Sequence, residues 1–371
     1  MSNNQKRLLC IVSSMDAGGA ETFLMKIYRA LDKSKYQMDF FVSSFTPGFY
    51  ENEILSMGGK IFRSVPKSKS PIKAFIDIQQ TVRREKYQYV MRLSQHSLAT
   101  LDLLAAKAGG AKVLIYRSTN AKIDGRLSRF LDVLFKFLTR KVPTVKVAPS
   151  TEAAEFAFGK DCVSNGHTII LKNGIAIENF LFNQDKRDKI RKEFKIDNQF
   201  VVGHVGRFNN QKNHNYLIDI FSEIVKRNQN SVLILVGKGE LESNIRMKIN
   251  NLSLANKVIF TGIRSDVADI MMAMDVFIFP SFFEGMPNTV IEAQATGLPC
   301  IISDTITREA QITNFIDYLS INERPEVWAR TTLKYANGFE RKNMHTEFID
   351  AGYEINTIVK DFVNLVFGIK N

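Results

Sequence analysis

Two glutamates and the turn between them carry the most chemistry in this chain. They lie in FPSFFEGMPNTVIEAQATGLPCIIS, residues 279–303. The apolar run Val276, Phe277, Ile278, Phe279 reads as a buried strand that stops at Pro280. Glu284 follows in a loop, and a helical segment then puts Glu292 in its second turn. Pro299 closes that segment, and Cys300-Ile301-Ile302 reads as the next strand. A loop-to-helix junction offers backbone N–H groups and a dipole that favour an anion. Carboxylates accept hydrogen bonds from hydroxyls. A place with both suits a sugar nucleotide, which has hydroxyls at both ends and a diphosphate in the middle.

Cations and glycines lie in other turns of the same kind. Arg207 and Lys212 follow a strand-like run at 200–205. Arginine can hold phosphate oxygens bidentately and lysine supplies a point charge. Either could stabilise the charge on a departing diphosphate; two solvated loop cations are the plainer alternative. Gly18 and Gly19 follow the first strand and open a helix. Glycine there lets a ligand approach the backbone, although an ordinary βα turn needs no ligand.

The E-x7-E spacing in this setting resembles the donor-site signature of glycosyltransferase family 4, retaining enzymes of the GT-B fold. MDAGGAE at 15–21, HVGRFNNQKNH at 204–214, VGKGELE at 236–242 and FTGIRSDV at 260–267 also resemble family segments, in the family's order and across both halves. The resemblance implies catalytic roles for Arg207, Lys212 and Glu284, the glutamate facing the transferred sugar. It places Glu292 on the ribose and Met286, Pro287, Asn288 and Thr289 along the sugar and diphosphate. Gly18 and Gly19 would lie near the donor diphosphate or the acceptor, and Gly237 on the nucleotide side. Ile263 and Arg264 would meet the base through backbone groups. Family members often carry histidines after the fourth and fifth strands of the first domain. Here His96 comes late and Arg117 stands in the second place, so both are read as acceptor-side candidates.

The implied reaction moves a hexose from a nucleoside diphosphate sugar, expected to be a UDP-sugar, to a lipid-linked oligosaccharide. Exopolysaccharide, capsule or O-antigen synthesis is the expected setting, which DAGYEI at 350–355 also resembles. No cofactor beyond the donor is expected, and no metal. The chain has no Asp-x-Asp clamp, no phosphate-binding loop lysine motif and no His/Cys cluster with metal spacing.

The elements that must position these residues alternate. Apolar runs near 8–12, 38–42, 60–62, 89–93, 112–116 and 146–149 are separated mostly by helical segments. A second series begins at 200 and continues at 231–236, 257–260, 275–279 and 299–302. This βα alternation predicts α/β architecture, two Rossmann-like, doubly wound parallel-sheet domains, with ligands at the carboxyl ends of the strands. The fold implied is GT-B, the domains facing a central cleft. The expected boundaries are an acceptor domain at 1–178, a nucleotide-sugar domain at 179–350 and a terminal helix at 351–371 returning to the first domain. The polar stretch 180–198 reads as a connection with a short helix.

The 371 residues carry a net charge of +12. Residues 1–180 hold 27 Lys and Arg against 15 Asp and Glu, whereas the remainder balances. That asymmetry predicts an anionic surface partner for the first half. In the segment 122–141, Leu127, Phe130, Leu131, Leu134, Phe135 and Leu138 predict a covered apolar face. Arg126, Arg129, Lys136 and Arg140 form the opposite face, expected to touch anionic lipid of the inner membrane surface. No apolar run is long enough to span a bilayer. The three cysteines are widely spaced, which predicts reduced thiols in a cytoplasmic, peripherally bound protein. Nucleic acid is not expected as a partner. A basic nucleic-acid-binding α/β protein and a GT-B sugar-nucleotide epimerase are the alternatives, but the first leaves the Glu/Arg/Lys set unexplained.

Overall fold

The computed structural model describes residues 5–119 and 126–368, with the side chains of 126–129 outside that description. The chain divides into two compact units, 1–175 together with 352–371, and 176–351.

The first unit is built on a seven-stranded sheet. Its strands are β1 (Lys6–Val12), β2 (Tyr36–Val42), β3 (Ile61–Arg63), β4 (Tyr89–Ser94), β5 (Val113–Ser118), β6 (Val145–Ala148) and β7 (Ile169–Ile170). Their order is β3-β2-β1-β4-β5-β6-β7, and every pairing is parallel. The helices are α1 (Gly19–Ala30), α2 (Glu51–Ser56), α3 (Pro71–Glu85), α4 (Thr100–Ala108), α5 (Arg126–Lys141) and α6 (Thr151–Phe158). The core joins Leu9, Ile11, Val90, Leu114 and Tyr116 of the sheet to Ile78, Val82, Leu103 and Phe158 of the helices.

The second unit has six strands, β8 (Phe200–Val205), β9 (Ser231–Val236), β10 (Val258–Gly262), β11 (Val276–Phe279), β12 (Cys300–Ser303) and β13 (Ile316–Leu319). They run β10-β9-β8-β11-β12-β13, again all parallel. Its helices are α7 (Gln184–Phe194), α8 (His214–Arg227), α9 (Glu242–Asn251), α10 (Val267–Ala273), α11 (Asn288–Ala295), α12 (Pro325–Leu333) and α13 (His345–Asp350). The last helix, α14 (Ile355–Phe367), belongs to the first unit. Its Phe367 ring stacks on Tyr36 at 4.8 Å and meets Tyr89 edge-on at 5.0 Å.

Each sheet has a point where successive strands leave in opposite directions, between β1 and β4 in one and between β8 and β11 in the other. Doubly wound sheets bind ligands outside the strand carboxyl ends at such points.

The polar stretch 180–198 is more than a connection. Within it, α7 docks on the end of α10, where Arg187 Nη1 donates to the carbonyls of Met272 and Met274, each at 2.9 Å. Arg187 and Arg191 also grip Asp275 at 2.6 and 2.7 Å. Half-buried Arg341 also donates to Met274 O. Guanidinium groups thus satisfy the carbonyls at a helix C-terminus, where the dipole favours cations.

Candidate functional site

At the switch point of the second sheet, β8 runs into a loop over 206–213 and β11 into a loop over 280–287. The two loops are stitched together by one residue. Phe282 N donates to Gln211 O at 2.9 Å, and Gln211 Nε2 donates to Phe283 O at 2.9 Å. This brings the next residue of each loop together: Lys212 Nζ lies 2.7 Å from Glu284 Oε1. The side chains are 17% and 7% exposed, so the pair is largely shielded from solvent. The ammonium also sits 4.6 Å from the centroid of Phe279, the last residue of β11. Removing one member would leave the other buried and unpaired, a large penalty.

A neutral wall stands behind Lys212. His204 in β8 is fully buried, with Nδ1 2.9 Å from Ile278 O, and it stacks on Phe279 at 5.3 Å. His214, the first residue of α8, meets His204 edge-on at 4.7 Å and stacks on Phe208 at 4.3 Å. Burial lowers His204 to about 4 and His214 to about 2. Both imidazoles are therefore uncharged near neutral pH and leave Lys212 the local cation. Asn213, at φ 54°, occupies the cap position before α8, so His214 turns inward rather than capping the helix.

The glycine loop after β9 has a structural duty. Gly237 has φ +132°, and a Cβ there would fall 2.2 Å from Gly206 O. A Cβ on Gly239 would fall 2.3 Å from Phe208 O. Phe208 N accordingly reaches Lys238 O at 3.1 Å. Only glycine allows the two loops this backbone approach, which fixes the segment that carries Arg207 and Lys212.

Other sequence-expected residues fall into place unequally. Glu292 is buried in α11, whose first turn holds Asn288 and Thr289 directly after Met286 and Pro287. Arg207 is not gathered into the pair: its side chain is 71% exposed, 3.6 Å from Glu240. The Arg264 guanidinium is held by both oxygens of Asp266, at 2.8 and 2.7 Å, and by Glu193 at 3.1 Å. Ile263 beside it is exposed.

In the first unit, Gly18 caps α1 and Gly19 begins it. His96 is half-buried in the loop after β4, and burial lowers its pKa. Arg117 departs from the expectation of an acceptor-facing charge. It is 2% exposed, lies 3.7 Å over the Phe23 ring and donates to Asn173 Oδ1 at 2.6 Å. Desolvation holds its pKa down to about 9.

The expectation for α5 also needs correction. Phe130, Val133, Leu134 and Phe137 are 54% to 75% exposed, so they form the outer face of the helix. The inner face is fixed by two polar residues seven apart. Asp132 accepts from Ser97 N at 2.6 Å, and Thr139 Oγ1 lies 3.0 Å from Thr100 Oγ1. Those bonds turn Phe130, Val133, Leu134 and Phe137 outward, while Leu131, Phe135 and Leu138 stay half-buried. Lys136 is partly covered, 4.5 Å from the Phe156 ring. Arg140 and Lys141 are exposed, and the side chains of Arg126 and Arg129 lie outside the described residues.

Gln211 escaped the sequence reading, and Phe279, His204 and His214 entered it without a functional role. The crowding of Gln211, Lys212, Asn213 and His214 after a strand was the available signal, but the partners of Gln211 and Lys212 lie some seventy positions away.

The chain matches the family model for group 1 glycosyl transferases over residues 185–354. It is 32% identical over 343 residues to a Bacillus subtilis protein named as glycosyltransferase EpsF, covering 91% of this chain and 89% of that one. It is 29% identical over 255 residues to an Escherichia coli UDP-Gal:α-D-GlcNAc-diphosphoundecaprenol α-1,3-galactosyltransferase, covering 66% of this chain and 65% of that one. Among solved structures, HepE of Anabaena, in complex with UDP and glucose, superposes with a TM-score of 0.77 at 19% identity, over 97% of this chain and 99% of that one. The fold is therefore GT-B, and the chain belongs to the group 1 glycosyltransferases.

Proposed function

We propose that this enzyme transfers a hexose, with retention, from a UDP-sugar to a lipid-linked saccharide in the synthesis of a bacterial surface polysaccharide. The carrying observation is the Lys212–Glu284 pair at the β8/β11 switch point. A lysine held in one place by a carboxylate and an aromatic ring is preorganised for the charge that develops on a departing diphosphate. In this reading Glu284 has two tasks: it orients Lys212 and accepts from a hydroxyl of the transferred sugar. Glu292 holds the ribose, and the first turn of α11 lies along the diphosphate. Arg207 joins from its exposed loop when the donor is present.

Retention follows from what an inverting route would require. Inversion needs a general base opposite the leaving group, whereas Glu284 is committed to Lys212. A retaining route can let the departing phosphate oxygen take the acceptor proton on the same face, with Lys212 holding that phosphate. No metal is assigned to this step, because the cation is supplied by the chain.

The UDP-sugar and lipid-linked acceptor are supported by the E. coli relative's name and by the UDP bound in HepE. The exposed face of α5, with Arg140 and Lys141 at its end, supports peripheral attachment to the anionic inner face of the cell membrane. Among the described residues, no helix is long and apolar enough to cross a membrane.

The test is a thermal-shift comparison of UDP-, GDP- and ADP-sugars, followed by proton NMR of the product formed from an α-linked donor. Stabilisation by the UDP-sugar and an α anomeric coupling are expected. No response to any nucleotide sugar would remove the transferase reading, and a β coupling would remove retention.

A further inference from the structure

The first sheet has its own charged cluster at its switch point, made of residues with no role in the donor site. Arg92, in β4, turns across the switch point and donates from Nη1 to Ile11 O of β1 at 2.9 Å. Its Nε lies 2.8 Å from Asp102 Oδ2, in the first turn of α4. The same carboxylate oxygen takes the ammonium of Lys67, from the loop between β3 and α3. Two cations thus share one carboxylate. Asp132, the other acid nearby, is turned to the Ser97 amide at 2.6 Å.

Two features distinguish this cluster from a saturated structural ion pair. Arg92 and Asp102 are more than nine-tenths buried, yet Arg92 Nε has no aligned hydrogen bond to any described residue despite its closeness to Asp102. A buried guanidinium normally uses its donors. Lys67 is the accessible member, its side chain 32% exposed. Burial and the charge of Arg92 hold its pKa down to about 8 even with Asp102 in contact. A second anion beside Lys67 would relieve the cation–cation repulsion.

We infer that Lys67 and Arg92 form an anion subsite that holds a phosphate group of the acceptor, with Asp102 fixing the two cations in place. Lys67 meets the phosphate from the solvent side, and Arg92 stands behind it. The ligand class is a diphosphate, supplied either by a prenyl diphosphate carrier or as free diphosphate. This rests on the acceptor reading given above and extends it to residues in the first unit.

The test titrates the full-length protein, saturated with UDP, with inorganic pyrophosphate and separately with geranyl diphosphate, by calorimetry. Lys67→Gln should weaken diphosphate binding at least tenfold while leaving UDP affinity unchanged, and Lys67→Arg should restore most of it. Equal dependence on Lys67 for both probes identifies the diphosphate alone as the recognised group. Dependence seen only with geranyl diphosphate identifies the lipid-linked source. If neither probe's affinity changes in Lys67→Gln, or neither binds the wild-type protein, the subsite does not exist. UDP binding is measured on the same samples, so a failure of the transferase reading appears as loss of that signal and leaves the diphosphate titration readable.

Discussion

The switch points of the two sheets use the same materials to opposite effect. In the second unit one lysine meets one carboxylate, and the surroundings are kept neutral by two uncharged imidazoles. In the first unit two cations lean on one carboxylate. A balanced pair holds its lysine in a fixed geometry, which suits a charge that appears only during reaction. An unbalanced trio has attraction to spare, which suits a ligand that arrives already charged. On the proposed reading the difference separates catalysis from capture, although both places lie at strand carboxyl ends in sheets of nearly the same order.

The largest effect should come from breaking the balanced pair. Lys212→Ala is expected to lower turnover about 10²-fold or more, the scale of losing one preorganised transition-state contact. Circular dichroism should show the fold retained. Arg207→Ala should also slow turnover, but less, because its guanidinium stands outside the pair. A folded Lys212→Ala enzyme with the wild-type rate would end the role given to this lysine.

A smaller effect, read on the outer face of the first unit, asks whether apolar area or charge governs attachment. Phe130→Ser with Phe137→Ser removes two exposed rings, each worth roughly 1.5–3 kcal/mol when fully buried. Sedimentation with anionic vesicles should show binding reduced by at least tenfold. Arg140→Gln should cost less, about 1 kcal/mol for a cation near such a surface, and its effect should shrink at high salt. Vesicle binding unchanged by the serine pair would return α5 to a purely structural role.

The neutrality of the imidazole wall can be read from stability against pH. The unfolded chain takes up protons near the ordinary histidine value of 6.5, while burial keeps His204 and His214 uncharged down to about 4 and about 2. The unfolded state thus binds more protons below 6.5, so stability falls as the pH drops from there towards 4. His214→Phe removes one of these groups while keeping a ring against Phe208. Melting temperatures from pH 7.5 to 4.5 should decline less steeply in the variant. An equal or steeper decline would show that the wall does not resist protonation.

The smallest expected change is none. Turnover should survive EDTA, since the chain has no Asp-x-Asp clamp and Lys212 is assigned the charge of the leaving group. Loss of activity on chelation, restored by Mg²⁺ or Mn²⁺, would move that task from lysine to metal.

Much of this architecture was legible in the linear chain. The long apolar runs of β1, β2, β8, β9 and β11 are buried on both faces of parallel sheets, and such strands declare themselves by continuous hydrophobicity. β7 and β13 were not foreseen. β7 has two residues, and β13 reads Ile-Asp-Tyr-Leu and lies at a sheet edge, where burial is incomplete and apolar selection relaxes. The helix α5 was foreseen and its rotation was not. Its inward face is chosen by Asp132 and Thr139 through hydrogen bonds to residues 97–100. A periodicity argument assigns polar residues outward and so misplaces Phe130 and Leu134 on the covered face.

The sequence by itself determined the alternation of strands and helices, the glycine-bearing turns, the carboxylate spacing from Glu284 to Glu292 and the family. These are local properties, fixed by hydrophobic period and by which residues a turn can accept. Only the tertiary structure decided that Lys212, rather than Arg207, pairs with Glu284, that Arg117 is covered, that α5 exposes Phe130 and Leu134 and that Lys67 and Arg92 share Asp102. Each of those outcomes depends on a partner distant in sequence, because the burial, hydrogen bonding and charge balance of a side chain are set by what folds against it.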